Sequence, residues 1–160
     1  MGSKRSAGIL LYRVRPELEV LLVHPGGPFW SKKDDGAWFV PKGELEGDEE
    51  PLAAALREFR EELGHDPPAG EPLALGSVKN KSGKLISAWA LEGELDPKSV
   101  QSNTFELEWP PRSGKMRAFP EVDRADFFSL ARAASKMHSA ELPFLERLRQ
   151  LLLGSPADSG

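Results

Sequence analysis

Three glutamates, at positions 58, 61 and 62, have the residue type and spacing in this chain that most directly suggest chemistry. In a helix, the i, i+3 and i+4 spacing places Glu58, Glu61 and Glu62 on one face. Like charges at this spacing destabilise a helix by roughly 0.2–0.5 kcal/mol per pair, so a bound cation is the expected compensation. Carboxylates are ligands for Mg²⁺ and Mn²⁺. The spacing therefore predicts a site for Mg²⁺, or Mn²⁺, and the alternative is an ordinary solvated acidic face.

The helix that must position these glutamates has clear start and stop signals. Pro51 suits the first helical turn, where its missing N–H is no loss, and Gly64 is typical of a helix end. At about 100° per residue, the apolar residues of the segment fall within an arc of about 60°, separate from the arc of the glutamates. These residues are Leu52, Leu56, Phe59 and Leu63. We expect one face to pack and the other to bind.

A fixed spacing surrounds this helix. Gly43 is followed by five residues, then Glu49, then seven residues, and then the run from Arg57 to Gly64. This pattern resembles the signature box of the Nudix hydrolases and departs from it only at the last apolar position, where His65 stands. The resemblance implies metal binding by the three glutamates. It also implies that Gly43, Glu49 and Arg57 shape the box, the last two as an ion pair.

The resemblance implies an enzyme that cleaves a phosphoanhydride bond in a nucleoside diphosphate linked to another moiety. One of the box glutamates, or an acid outside the box, would act as general base. Glu121 is our candidate for an additional catalytic carboxylate, because it precedes a predicted strand in a position that resembles this use. Glu106 and Glu108 compete with it, although strand alternation places both on one polar face.

The substrate must be sought in residues outside the three glutamates. Pro41, Lys42 and Gly43 lead into the box, and this sequence resembles the subgroups that act on dinucleoside polyphosphates or diphosphoinositol polyphosphates. Lys42 can supply a charge for a phosphate chain, and aromatic side chains can stack on a base. The candidates for stacking are Trp38 foremost, with Trp30, Trp109 and Phe119, and the further basic candidates in predicted loops or at strand ends are Lys79 and Arg112.

We therefore expect a dinucleoside polyphosphate or a nucleoside triphosphate as substrate. The alternatives are a diphosphoinositol polyphosphate, or ADP-ribose or another sugar nucleotide. A further alternative, from a different functional class, is a catalytically silent Nudix-fold module that senses a nucleotide.

Around the central helix, apolar runs and turn signals predict strands and a closing helix. The strands are predicted at 7–14, 18–23, 37–40, 73–79, 85–92, 105–109 and 126–130, and the closing helix at 140–153. This order predicts an α/β fold, an α/β/α sandwich with a mixed β-sheet between helices, which the Nudix resemblance implies specifically. We expect one domain over 1–160, with flexible tails at 1–5 and 154–160, and a loop over 25–36 that can fold over a ligand.

Composition limits the function classes. The net charge of −4 argues against general nucleic-acid binding, so the expected partner is a small phosphorylated molecule without a stable nucleic-acid complex. The chain has no cysteine, which excludes disulfides and thiolate sites and suits a cytoplasmic protein. No apolar run approaches the roughly 20 residues that span a bilayer, so no membrane association is expected. The three histidines lack ligand spacing and are interpreted as structural, with His24 nearest the suspected lid.

Overall fold

A six-stranded mixed sheet forms the centre of the computed structural model, which describes residues 4–154. Five strands lie in the order β4-β5-β1-β2-β8, and β3 pairs with the free part of β1. Among the strand pairs of residues 4–154, only β1–β5 is parallel. The strands are β1 Arg5–Val14, β2 Leu18–Pro25, β3 Lys42–Glu44, β4 Leu73–Lys79, β5 Leu85–Glu92, β6 Thr104–Glu108, β7 Met116–Pro120 and β8 Val122–Ser129. The helices are α1 Pro51–Leu63, α2 Leu130–Lys136 and α3 Leu142–Leu153.

Helices cover both faces of the sheet, because alternate residues of its central strands point in opposite directions. In β1, Ile9 and Leu11 pack in a core with α1, whereas Leu10 and Tyr12 pack in a second core with α2 and α3. Phe144 of α3 lies at the centre of that second core. The predicted α/β/α sandwich with a mixed sheet is confirmed. None of the helices between Lys4 and Gly154 has the length and apolarity that a membrane crossing requires.

Most of the predicted strands are present. The two at 73–79 and 85–92 have the predicted bounds, and β1 and β2 form the predicted antiparallel hairpin. The predicted strand at 105–109 corresponds to β6, which pairs with β7 in a separate two-stranded sheet. The predicted last strand is longer at its start than expected, because β8 begins at Val122. The closing helix is present as α3, preceded by a short 3₁₀ turn at Ser139–Glu141.

The prediction of a strand at 37–40 is wrong. Phe39 exchanges backbone hydrogen bonds with Val23, whereas the Trp38 N–H donates to the Lys136 carbonyl. Since neighbouring residues bond to different partners, they form isolated bridges and no ladder. Residues 1–3 and 155–160 of the predicted tails lie outside the described residues, and Arg5, which we assigned to a tail, begins β1.

Helix α1 begins and ends as predicted, but its buried face is rotated. Gly64 has a φ of 71° and donates its N–H to the Arg60 carbonyl, which is the left-handed end that glycine favours. Phe59 and Leu63 are buried as expected, together with two alanines, Ala54 and Ala55. Leu52 and Leu56 are only half-buried. The small alanines let the helix lie close to the sheet, which brings the glutamate side of α1 to the edge of the core.

Candidate active site

The three box glutamates lie on one side of α1, and each carboxylate has a partner. The Arg57 Nη1 atom donates to Glu58 Oε1 at 2.8 Å and to Glu61 Oε2 at 3.0 Å. Glu62 Oε2 accepts the backbone N–H of Lys42 at 2.7 Å. Glu62 therefore joins α1 to the first residue of β3, where the Pro-Lys-Gly segment leads into the box.

Arg57 and Glu49 form the predicted ion pair. The guanidinium donates from Nε and from Nη2 to the two carboxylate oxygens of Glu49, each at 2.9 Å, and Nη2 also donates to the Glu44 carbonyl at 3.1 Å. The two Arg57 bonds to the carboxylate, with the bond from the Glu46 N–H, lower the pKa of Glu49 to about 2. Because Arg57 binds loop and helix together, it holds Glu58 and Glu61 at fixed places.

Glu121, between β7 and β8, lines the same cavity as Glu58 and Glu61, and it also lines a neighbouring cavity together with Glu62. The first cavity has a volume of about 580 Å³. Its polar lining combines four acids of the box and its loop with five residues from elsewhere in the chain. They are Glu44, Glu46, Glu58 and Glu61, with Ser6, Lys42, Lys84, Asn103 and Glu121. Glu108 instead accepts the Arg112 and Gly114 N–H groups in the β6–β7 turn, and neither it nor Glu106 lines this cavity.

The carboxylates of this cavity and the neighbouring Glu62 disfavour one another's charge. Burial raises the pKa of Glu62 to about 8, with smaller contributions from the charges of Glu58 and Glu121. Burial also raises the pKa of Glu58 and of Glu121, and the charge of Glu61 adds to both shifts. A cation bound among these oxygens would remove the repulsion, so the donor set fits a hard divalent metal. As the side chains stand, no three acids or histidines between positions 4 and 154 converge on one point at ligand distances.

The raised pKa of Glu62 predicts a pH-dependent stability. Its folded pKa of about 8 exceeds the ordinary 4.5, so this group's contribution to stability is complete below pH 4.5 and is lost as the pH rises towards 8. Without metal, the free energy of unfolding should fall by up to about 5 kcal/mol over this interval, because each pKa unit between the unfolded and folded values corresponds to about 1.4 kcal/mol. Urea unfolding in chelator at several pH values measures it. Glu62→Gln should flatten the curve; equal slopes in both proteins would contradict the assignment.

A second, more apolar cavity of about 250 Å³ adjoins the first and shares Lys42 and Glu121 with it. Trp30 and Phe39 form its aromatic wall, with their ring centroids 5.6 Å apart in an edge-to-face arrangement. The Lys42 ammonium lies 4.5 Å from the centroid of Phe39. The two cavities thus place an aromatic surface beside the carboxylates, with a cation between them.

Glu141, a functional candidate that sequence reasoning missed, holds this cation. Its side chain is 1% exposed, and its oxygens accept Lys42 Nζ and the Val40 N–H, each at 2.8 Å. The Lys42 ammonium is therefore held in one position and is not a mobile cation. The sequence around Glu141 does not indicate this role. Glu141 lies at the start of an amphipathic helix, where an acidic residue is common for reasons unrelated to function.

Trp38 is not placed to stack on a ligand, which corrects our foremost aromatic candidate. It is 4% exposed and packs edge-on against Phe128 and His24. It borders only a separate cavity along the outer edge of β8. The ring can be buried at little cost because the indole N–H donates a hydrogen bond to Asp34, so the whole side chain packs in the core.

The other predicted substrate residues, Lys79 and Arg112, line neither of the two cavities. Lys79 is the last residue of β4, and Arg112 lies at the tip of the β6–β7 turn. Lys84 takes the place that we expected for Lys79. His24 is fully buried, with its ring nitrogens bonded to Asp123 and to the Lys33 carbonyl, which agrees with a structural role.

Comparison with known proteins gives a family match and several relatives. The family model described as NUDIX domain matches residues 2–148. The chain is 37% identical over 97 residues to human diphosphoinositol polyphosphate phosphohydrolase 3-alpha, covering 61% of this chain and 46% of that protein. It is 38% identical over 85 residues to human diphosphoinositol polyphosphate phosphohydrolase 2, covering 53% and 37%. The matches thus span less than half the length of these relatives.

Solved structures with the same fold cover almost the whole chain. A binary complex of a C. elegans Ap4A hydrolase has a TM-score of 0.68 at 21% identity, covering 94% of this chain and 99% of that one. The NUDIX domain of Shewanella oneidensis NrtR, complexed with ADP ribose, has a TM-score of 0.65 at 18% identity and covers 95% and 90%. At these identities the likeness shows the fold alone.

Proposed function

This chain belongs to the Nudix family, and from that premise we propose that it is a single-domain hydrolase that cleaves a phosphoanhydride bond with the help of a divalent metal. The substrate that we propose is a nucleoside diphosphate linked to another moiety, most directly a dinucleoside polyphosphate or a nucleoside triphosphate. The observation that carries the proposal is the cavity that Glu58, Glu61 and Glu121 line together, beside Glu62 and the aromatic cavity.

We assign the metal, Mg²⁺ or Mn²⁺, to Glu58, Glu61, Glu62 and Glu121. When bound, such an ion neutralises phosphate oxygens and lowers the pKa of a water molecule. Arg57 orients Glu58 and Glu61 through its two hydrogen bonds, and an acid that lines the cavity accepts the proton of the attacking water. Lys42, fixed by Glu141, faces the phosphate chain.

The aromatic wall favours a nucleoside over an inositol as the bound group. A base can stack on Trp30, since Phe39 is already stacked on His138 and has the Lys42 ammonium over its ring. A diphosphoinositol polyphosphate has no aromatic ring and carries many phosphates. Such a ligand needs many cations, and the two cavities are lined by only Lys42 and Lys84 among their described residues. A diphosphoinositol polyphosphate is the second candidate, favoured by the identity to the human phosphohydrolases.

Hydrolysis of a substrate panel tests the proposal. With Mg²⁺ or Mn²⁺, a dinucleoside tetraphosphate or a nucleoside triphosphate should be cleaved faster than a diphosphoinositol polyphosphate or ADP-ribose. Trp30→Ala should raise KM for the nucleotide about tenfold, since stacking on a base contributes about 1–3 kcal/mol. Phe29→Ala is the matched control, because this exposed neighbour packs on Trp109 and lines neither cavity.

Two results would contradict the proposed hydrolase activity or its proposed substrate. Binding of a nucleotide with no product from any substrate, in either metal, would favour the silent sensing module. Faster cleavage of the diphosphoinositol polyphosphate, with no effect of Trp30→Ala, would favour the second candidate.

A further inference from the structure

Lys84 lines the carboxylate cavity, and no carboxylate between positions 4 and 154 lies within hydrogen-bond distance of its ammonium. Its side chain is 29% exposed, and the carboxylate nearest to its ammonium within the described residues is that of Glu44, at 3.8 Å. That separation is too long for a hydrogen bond. The contrast with Lys42 is direct, because the Lys42 ammonium is 2.8 Å from the buried carboxylate of Glu141. The donors of Lys84 therefore remain available to a ligand.

The backbone beneath this lysine is held firmly. Its N–H donates to the side-chain oxygen of Asn80 at 2.9 Å, and its carbonyl accepts the Asn80 N–H at 3.0 Å. The next residue, Leu85, donates its N–H to the Lys4 carbonyl at 3.1 Å. Because these bonds fix the root of the side chain, only the side chain itself has to be ordered on binding, which limits the entropic cost.

The register of the sheet gives the cavity a direction. Along β1, Gly8 lies opposite Lys42 on β3, and Arg5 lies opposite Leu85, the residue that follows Lys84. The two lysines are thus separated by about four residues along β1, or roughly 13 Å, and also by about two strand spacings, or roughly 10 Å, across it, because β3 and β5 pair with opposite sides of β1. Lys42 borders the aromatic cavity, and Lys84 borders only the carboxylate cavity. The carboxylates therefore lie between an aromatic end and a cationic end.

We propose that Lys84 forms a binding subsite for a phosphate group that lies beyond the two phosphates joined by the cleaved bond, on the side away from the stacked base. The inference rests on the proposed function, since it takes the carboxylates as the place of cleavage. A substrate bound in this direction has its base against Trp30 and its remaining phosphates towards Lys84. The ligand class for this subsite is a charged phosphoryl group, as in a polyphosphate chain, and not the uncharged sugar of a sugar nucleotide.

Kinetics with two substrates tests the subsite. Lys84→Met should raise KM for a dinucleoside tetraphosphate about tenfold, the value of one charge-assisted hydrogen bond, and change KM for a nucleoside diphosphate sugar less than about twofold. Lys81→Met is the matched control, because Lys81 lies in the same turn, is exposed and lines neither cavity. An equal effect on both substrates, or no difference between Lys84→Met and Lys81→Met, would overturn the proposal.

A binding measurement separates this inference from the proposed function. Calorimetric titration with inorganic tripolyphosphate and Mg²⁺ requires no turnover. Lys84→Met should weaken this binding about tenfold, whereas Lys81→Met should not. If no substrate is hydrolysed but tripolyphosphate binding still depends on Lys84, the hydrolase proposal fails and the subsite stands. If hydrolysis is normal and neither measurement depends on Lys84, the subsite fails alone.

Discussion

Replacing Glu61 and Glu62 together with glutamine is expected to reduce kcat by at least about 10³-fold without unfolding the chain. Both side chains keep their size and an oxygen acceptor, so the Lys42 N–H and Arg57 retain partners. What is lost is the negative charge that holds a divalent ion. Steady-state product release with Mg²⁺ measures the effect, and circular dichroism checks the fold.

The control for this pair immediately precedes the same helix. Glu50 precedes Pro51 and makes no capping hydrogen bond with its side chain, so Glu50→Gln should keep full activity. Thermal unfolding gives a second measurement, since Mg²⁺ should raise the melting temperature of the wild type and of Glu50→Gln but not of the double variant. Full turnover in the double variant would refute the metal assignment.

Gly43→Ala is expected to remove activity with little loss of stability. A Cβ atom at position 43 would lie 2.0 Å from the carboxyl carbon of Glu58. The end of a long side chain can move away, so the collision displaces a proposed metal ligand and leaves the backbone in place. We expect kcat to fall by about 10²-fold or more. Kinetics and a melting curve on the same preparation measure both effects.

Gly8→Ala provides the contrast. Its Cβ would lie 2.3 Å from the backbone oxygen of Pro41, which cannot move without shifting the segment that leads into the box. This variant should therefore lose stability by about 1–3 kcal/mol. A Gly43→Ala protein that is as active as the wild type, or that unfolds as readily as Gly8→Ala, would show that Gly43 has no special relation to Glu58.

Sequence patterns succeeded where local chemistry decides the structure. Pro51 and Gly64 set the limits of α1 because one lacks an N–H and the other accepts a positive φ. The strands at 73–79 and 85–92 followed from their turn, in which Asn80 bonds to residues 82 and 84. The box spacing similarly indicated which residues share one helix and its preceding loop.

Sequence patterns gave wrong predictions where a segment distant in the chain determines how a residue is placed. Trp38 has an aromatic ring that could stack on a base, but the ring is buried. It packs against Phe128, and its indole N–H donates to Asp34. Lys79 and Lys84 are equivalent in sequence, and only strand register selects Lys84 for the cavity. The residues 37–40 have β propensity, yet two different partners divide their backbone bonds.

The contacts of Glu141 with Val40 and Lys42 have a consequence for when this protein becomes functional during its synthesis. The Val40 N–H and its carboxylate acceptor are 101 residues apart in the chain. At about 5–20 residues per second, the acceptor leaves the ribosome roughly 5–20 seconds after the segment that it holds. Throughout this interval Lys42 has no fixed place. The nascent chain would thus become able to orient a phosphate chain only after Glu141 has emerged, when every strand of the sheet has already been made.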